Sequence, residues 1–376
     1  GQWNTDNTNA LSEAGPGDII ISEIMADPSP VVALPAKEYI EIHNRAEFAF
    51  NLKGWSLSDG KNSCTFPERI ILPGAYMILC QLQDTGLFKS YGKTTGLKSF
   101  PALTNEGQLL FLSDNTSKLI HGIEYSSDWY GDVLKNDGGW SLEIIDTDYP
   151  FYQEGNWHAS LSMDGGTPGK VNSVSHKNPD NIFLGIENVF PVDSITISIS
   201  FSETVLNLDK NIDNIEIEGS EVSSVIPSDP LMRGYTGILP ENLQDGRVYT
   251  LYAGDEITDF AGNQMRRNEF RFGIPDPVQK GDILFNELLF NPFSGEPDFI
   301  EFYNCSEKII DASALIIVSV IDELNDTSSI LFVSGEKRCI LPGDYYAITT
   351  DRKSLLERFS SSDPDKIFEV IKLPSM

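Results

Sequence analysis

Positive charge is scarce in this chain. Of 376 residues, 27 are Lys or Arg and 56 are Asp or Glu, a formal net charge of -29. Such a field repels phosphate backbones and anionic lipid surfaces, so nucleic acid is not an expected partner. The balance suits a solvated surface, or a surface that meets divalent cations, and solubility is the simpler reading. Long apolar runs are missing as well. No stretch approaches the ~20 apolar residues of a membrane helix, and residues 1–16 are polar rather than signal-like. A soluble mature chain without a membrane span is expected.

Cysteine and histidine are few, with 4 of each. Cys64, Cys80, Cys305 and Cys339 form no CxxC and have no His at zinc-ligand spacing, which argues against a zinc site. Disulfides Cys64–Cys80 and Cys305–Cys339 fit the even count, and free buried thiols fit it equally well. Catalytic signatures are absent too: there is no GxSxG, no HExxH, no GxxxxGK[ST] and no GxGxxG opening a helix. His43, His121, His158 and His176 read as structural, none beside a nucleophile. No catalytic residue is assigned, and the chain is not expected to be an enzyme.

What the chain does have is repetition. "GDIIISEIMADP" (Gly17 to Pro28) returns as "GDILFNELLFNP" (Gly281 to Pro292). "KEYIEIHN" (from Lys37) returns as "PDFIEFYN" (from Pro297), and "ILPGAYMIL" (from Ile71) as "ILPGDYYAI" (from Ile340). Order is kept while loop lengths vary, as in duplicated domains. Between the copies, "SITISISFSE" alternates Ile195, Ile197, Ile199 and Phe201 with Thr196, Ser198, Ser200 and Ser202. That two-residue period predicts a strand with one face in a core. "NIEIEG", "RVYTLYAG" and "NEFRFGI" continue the pattern between turn-rich pieces, as in an antiparallel sandwich. Helical spacing is confined to Asp351–Ser360 and the matching Asp84–Gly92. Proline-bearing joints at Lys177–Asn181 and Pro275–Gly281 read as semi-rigid.

The ordered set "SEIM", "EYIEIHN", "LKGWSLSDG", "ILPGAYMIL", "LTNEGQLLFLSD", "DWYGD", "GWSLEIID", "NWHAS" and "GGTPGKVNSV" resembles the lamin tail domain of bacterial extracytoplasmic proteins, over Gly17 to about Val174. "LPENLQDGRVYTLYAGDEITDFAGNQM" (Leu239 to Met265) is similar to the bacterial Ig-like domain of surface-layer type, and residues 281–376 resemble the first part of a second lamin tail domain. The resemblance implies an all-β protein of tandem immunoglobulin-like β-sandwich domains in an elongated arrangement. The domains are an N-terminal extension (1–16), a lamin-tail-like sandwich (17–176), an Ig-like sandwich (177–276) and a second, incomplete lamin-tail-like domain (277–376). Half a sandwich leaves one apolar face uncovered. A truncated chain, a disordered remainder and a partner strand each account for the missing half.

Candidate binding residues follow from the loops. Glu23 with Glu41, and Glu287 with Glu301, are placed to meet across neighbouring strands, as loop anchors or a weak calcium site. Glu38 and Glu41 are an odd separation apart and face opposite ways. Asp146 and Asp148, and Asp255 and Asp259 with Glu256 nearby, are candidate hard-oxygen ligands for calcium, although none follows an EF-hand loop. Among the aromatics, Trp129 and Trp157 read as packing residues. Tyr149, Phe151 and Tyr152, around Pro150 and with Tyr130 nearby, are the candidate surface platform for a sugar or a protein.

The expectation is a non-catalytic extracytoplasmic or cell-surface protein acting in adhesion, assembly or presentation, its partner a protein or polysaccharide. The alternative is the accessory, carbohydrate-binding part of a secreted hydrolase or nuclease. No cofactor is implied beyond calcium.

Overall fold

The structure, a computed structural model, describes residues 13–206, 208–293, 295–321, 326–359 and 363–373. Most of the expected N-terminal extension and the last residues of "VIKLPSM" lie outside the described residues. The fold is all-β: sheets in three successive groups along the chain, each built around its own apolar cluster.

In the first group, a sheet runs in the order Trp157–Ala159, Leu142–Ile144, Ile19–Met25, Tyr39–Asn44, Tyr76–Gln81, Thr94–Leu97. A second sheet (Leu119–Ser126, Gly107–Ser113, Ser56–Ser58, Ser63–Thr65) packs on it. Alternation decides which side chain faces which layer. Ile24, Ile40, Ile42 and Leu79 enter the core between the sheets, and Met25, Tyr39, Ile78 and Cys80 form a separate cluster with Phe88 on the outer face. Because both faces are covered, every residue of Ile19–Met25 is buried. Such a strand reads as a nearly unbroken apolar run, which is what "IIISEIM" is.

The middle group is two sheets. One is ordered Ser224–Pro227, Gly234–Ile238, Thr196–Phe201, Leu184–Pro191, Met265–Arg267, and the other Ser220–Glu221, Ile215–Ile217, Tyr249–Ala253, Glu269–Phe272. The period-two strand is present as expected, with Ile197, Ile199 and Phe201 buried.

The third group repeats the first in register. Glu287 stands opposite Glu301 as Glu23 does opposite Glu41, and a bulge interrupts both pairs at the same place, Phe285/Glu287 and Ile21/Glu23. Each copy then adds a short helix, Thr85–Phe88 and Arg352–Arg358, and a parallel strand, Thr94–Leu97 and Ile367–Glu369. Asp351 caps its helix by accepting from the Ser354 N–H at 2.9 Å.

All four cysteines are free, and Cys64, Cys80 and Cys339 are buried. The disulfide alternative is therefore corrected. Burial first, with a nearby carboxylate adding to it, pushes Cys64 and Cys80 up to about 11 and Cys339 up to about 12, which leaves them as small unreactive core residues.

A repeated asparagine fixes the turn after the second strand of each copy. Asn44 donates through Nδ2 to the Phe48 and Ile71 carbonyls and accepts from the Ala46 N–H; Asn304 donates to Lys308 and Ile340 and accepts from Ser306. Asn304→Ala strips partners from buried carbonyls and should lower stability by about 1–3 kcal/mol. Urea unfolding with Phe368 replaced by Trp as a local probe reads this, and an unchanged midpoint would rule the anchor out.

Candidate functional site

Two places gather ionisable and aromatic side chains. The first is the outer face of the first sheet, where antiparallel pairing puts Glu23 opposite both Glu41 and Glu143. All three are fully buried. Glu23 Oε1 accepts from Tyr39 Oη (2.6 Å), Ser141 Oγ (2.6 Å) and the Thr167 N–H (2.8 Å), while Oε2 has no donor among the described residues. Glu41 accepts from Ser22 Oγ and the Gly169 N–H, and Glu143 from Thr167 Oγ1, Ser173 Oγ and the Ser173 N–H. The carboxylates thus fasten the segment Gly166–Ser173 across the sheet. Burial first, and the Glu143 charge second, raise Glu23 to about 7; burial, then the Glu23 charge, hold Glu41 well above the carboxylate range. Glu143 was missed by reading the sequence, because only strand order brings it beside Glu23.

The second place is the cleft between the first and middle domains. The loop Asp146–Trp157 ends there, held by Asn156, which donates to the Asp146 and Tyr149 carbonyls and accepts from the Asp146 N–H. Its aromatic residues do not form the exposed platform expected of them. Phe151 is buried between His121 (5.3 Å between centroids) and Phe260 of the middle domain (4.9 Å), because the neighbouring domain covers it. Tyr130 is buried and donates to the Trp140 carbonyl. Tyr149 and Tyr152 are half-buried. Tyr152, with half-buried Trp129 and Gln153, lines a cleft of about 290 Å³ that also meets Glu124, Glu203 and Arg233. Gln153 Oε1 accepts from the Glu124 N–H (3.1 Å), and its Nε2 has no acceptor among the described residues.

His121 is fully buried, accepts the Ile21 N–H at Nδ1 (3.2 Å) and donates from Nε2 to the Pro150 carbonyl (2.9 Å). Burial lowers it to about 4, so the neutral tautomer ties the two sheets to the aromatic loop. His43, stacked on Tyr76 at 4.2 Å, is also held down to about 4 by burial.

The candidate calcium ligands separate. Asp146 is buried and already accepts from the Asp148 and Asn178 N–H groups, and Asp148 is exposed 3.7 Å from Arg45. This pair is a loop anchor rather than an open ligand set. Asp255 and Glu256 are exposed and apart from Asp259, which instead joins Asp180 and Glu203. These three offer ligand oxygens within 4.8 Å of one another, the spacing that a single hard cation uses. Burial, then Asp180 and Asp259, raise Glu203 to about 8. Asp180 lies in the joint and Glu203 after a strand, so no local motif announced either.

Residues 12–127 match the Lamin Tail Domain family. The match stops before Leu142–Ile144 and Trp157–Ala159, which the lamin-tail sheet nevertheless includes. No curated protein sequence matches the chain. Among solved structures, the N-terminal part of the bacterial S-layer protein SbsC aligns at 17% identity and a TM-score of 0.23, covering 43% of this chain and 45% of that one. Domains 1–6 of surface layer protein SbsC align at 18% identity and the same TM-score of 0.23, covering 44% of this chain and 26% of that one. The chain thus spans less than half the length of those structures, and a TM-score that low supports no functional argument.

The lamin-tail carboxylates make stability depend on pH. Glu23 is raised from an ordinary 4.5 to about 7, so its stabilising proton is fully present below pH 4.5 and is lost as pH rises through about 7. Glu23→Gln keeps the Oε1 acceptor without the charge. The variant should gain relative to the parent over that window, by on the order of 3 kcal/mol. Parallel pH-dependence of the two proteins in urea melts would count against it.

Proposed function

We propose that this chain is a non-catalytic, extracytoplasmic spacer at a bacterial cell surface, a row of β-sandwiches that presents its loops to protein or polysaccharide partners in adhesion or assembly. One observation carries the reading: the joints between domains are packed interfaces. At the first, Phe151 meets Phe260, the Arg45 guanidinium lies 5.8 Å from the Phe260 ring centre, and Arg233 pairs with Glu124 at 3.7 Å. A Cβ on Gly122 would come within 2.1 Å of the Pro230 carbonyl oxygen, so glycine is what lets the two backbones approach. At the second, Arg267 pairs with Asp365, Arg338 donates to the Glu187 carbonyl, and Asn188 donates to the Lys337 carbonyl. Ile309, Cys339 and Leu341 also enter the core of the middle domain. Interfaces of this kind suppress the independent domain motion that is otherwise the default.

The Lamin Tail Domain match and the acid-rich composition support the surface setting. The engagement of both His121 ring nitrogens by backbone groups supports the non-catalytic part. A second reading, an accessory carbohydrate-binding part of a secreted hydrolase or nuclease, is favoured by Trp129, Tyr152 and Gln153 lining one cleft.

Small-angle scattering of the full chain tests the spacer. The parent should fit one conformation, and Phe260→Ala and Gly122→Val should broaden the pair-distance distribution while circular dichroism stays unchanged. A parent already as broad as its variants would overturn it. Glycan-array binding that is abolished by Trp129→Ala and Tyr152→Ala would move the assignment to the second reading.

A further inference from the structure

The segment that covers the first sheet is fastened to it largely by carboxylates. The amides of Thr167, Gly169, Ser173 and Val174 donate to Glu23, Glu41 and Glu143, as do the hydroxyls of Thr167 and Ser173. Asn172 adds neutral ties, from Nδ2 to the Ser22 and Ile144 carbonyls. The fit is close. A Cβ on Gly166 would stand 2.6 Å from Tyr39 Oη and 2.7 Å from Glu23 Oε1, and one on Gly92 would stand 2.9 Å from the Gly169 Cα.

Under this strap the glutamates have no counter-charge. No Lys or Arg pairs with any of the three among the described residues, and Lys170 of the strap is exposed. The other titratable groups on this face are Tyr39 and His43 in the strand of Glu41, Tyr76 and Cys80 in the next strand, and His158 opposite Glu143 at the sheet edge. They bring phenols, a thiol and imidazoles: burial holds His43 neutral, and His158 Nδ1 lies 2.8 Å from the Ala159 carbonyl oxygen. Glu23 Oε2, buried and with no donor among the described residues, is the oxygen on which a proton resolves the conflict. Losing that proton adds a charge to a face without a cation, and lifting the strap to admit water is the relief open to it.

The direction of the titration agrees. Burial first holds Glu23 at about 7 and Glu41 well above an ordinary 4.5, and beneath a lifted strap both return toward 4.5. The closed form is therefore fully favoured below pH 4.5 and loses ground as pH rises through about 7.

We propose that Gly166–Ser173 is a pH-operated clasp: protons on Glu23 and Glu41 keep it closed, and their release to solvent lifts it and bares the outer face of the first sheet. The clasp operates within one domain, whether or not the joints between domains are rigid.

Hydrogen exchange of the full chain between about pH 5 and pH 8, read by mass spectrometry and corrected for intrinsic rates, tests it. Protection of the Thr167, Gly169 and Ser173 amides should fall by about tenfold per pH unit through the range in which Glu23 titrates. The strand Leu119–Ser126 of the facing sheet should keep its protection over the same range. Glu23→Gln should flatten most of the fall, and Glu41→Gln, which retains an acceptor for the Gly169 N–H, should reduce it independently. Strap protection that is flat with pH, that falls in step with Leu119–Ser126, or that falls equally in the parent and in whichever variant folds overturns the proposal.

Discussion

Register is the constraint on which the rest of this structure depends. In both lamin-tail-like sheets a bulge in the first strand resets the alternation, so that a glutamate from each of two neighbouring strands faces the same outer side. Had the pairing slipped by one residue, those carboxylates would enter the apolar core between the sheets. With the register as it is, they lie on the far face, where they either meet water or, if buried, need a cover that supplies donors. The first domain has that cover in its own later residues: Thr167, Gly169 and Ser173 bring N–H and hydroxyl groups to Glu23, Glu41 and Glu143. Satisfying buried carboxylates thereby fixes the path of the chain over the sheet.

The two copies form a natural comparison. They share strand order, bulge, turn asparagine, helix and parallel strand, and they differ in whether the outer face is closed. That difference changes the character of identical positions. Glu23 is a buried anchor raised to about 7, and Glu287 is an exposed side chain at the rim of a cavity. The chemistry of a glutamate here is set less by its strand than by what lies above it.

Burial redistributes the candidate site in the same manner. Phe151 belongs to a loop rich in turn residues and aromatics, the composition of a recognition surface, yet it packs against a ring from the next domain. Asp259 comes from a turn whose neighbours Asp255 and Glu256 point to water, and its partners Asp180 and Glu203 come from a joint and from the end of a strand. Sequence proximity groups residues that solvent then separates, and domain packing groups residues that sequence keeps far apart. The cleft at the first joint consists of such long-range neighbours.

The sequence alone determined the all-β character, the duplicated module, the meeting of Glu23 with Glu41 and of Glu287 with Glu301, and the capped helix at Asp351. All of these follow from periodicity and repetition, which are local or internal to the chain. Only the tertiary structure decided that Glu143 joins the carboxylates, that Phe151 and Tyr130 are interior, that the cysteines stay unpaired, and that Asp180, Glu203 and Asp259 share one place. Those outcomes depend on strand order and on which surfaces the domains cover in each other, and two-residue alternation says which way a side chain points without saying what it will meet.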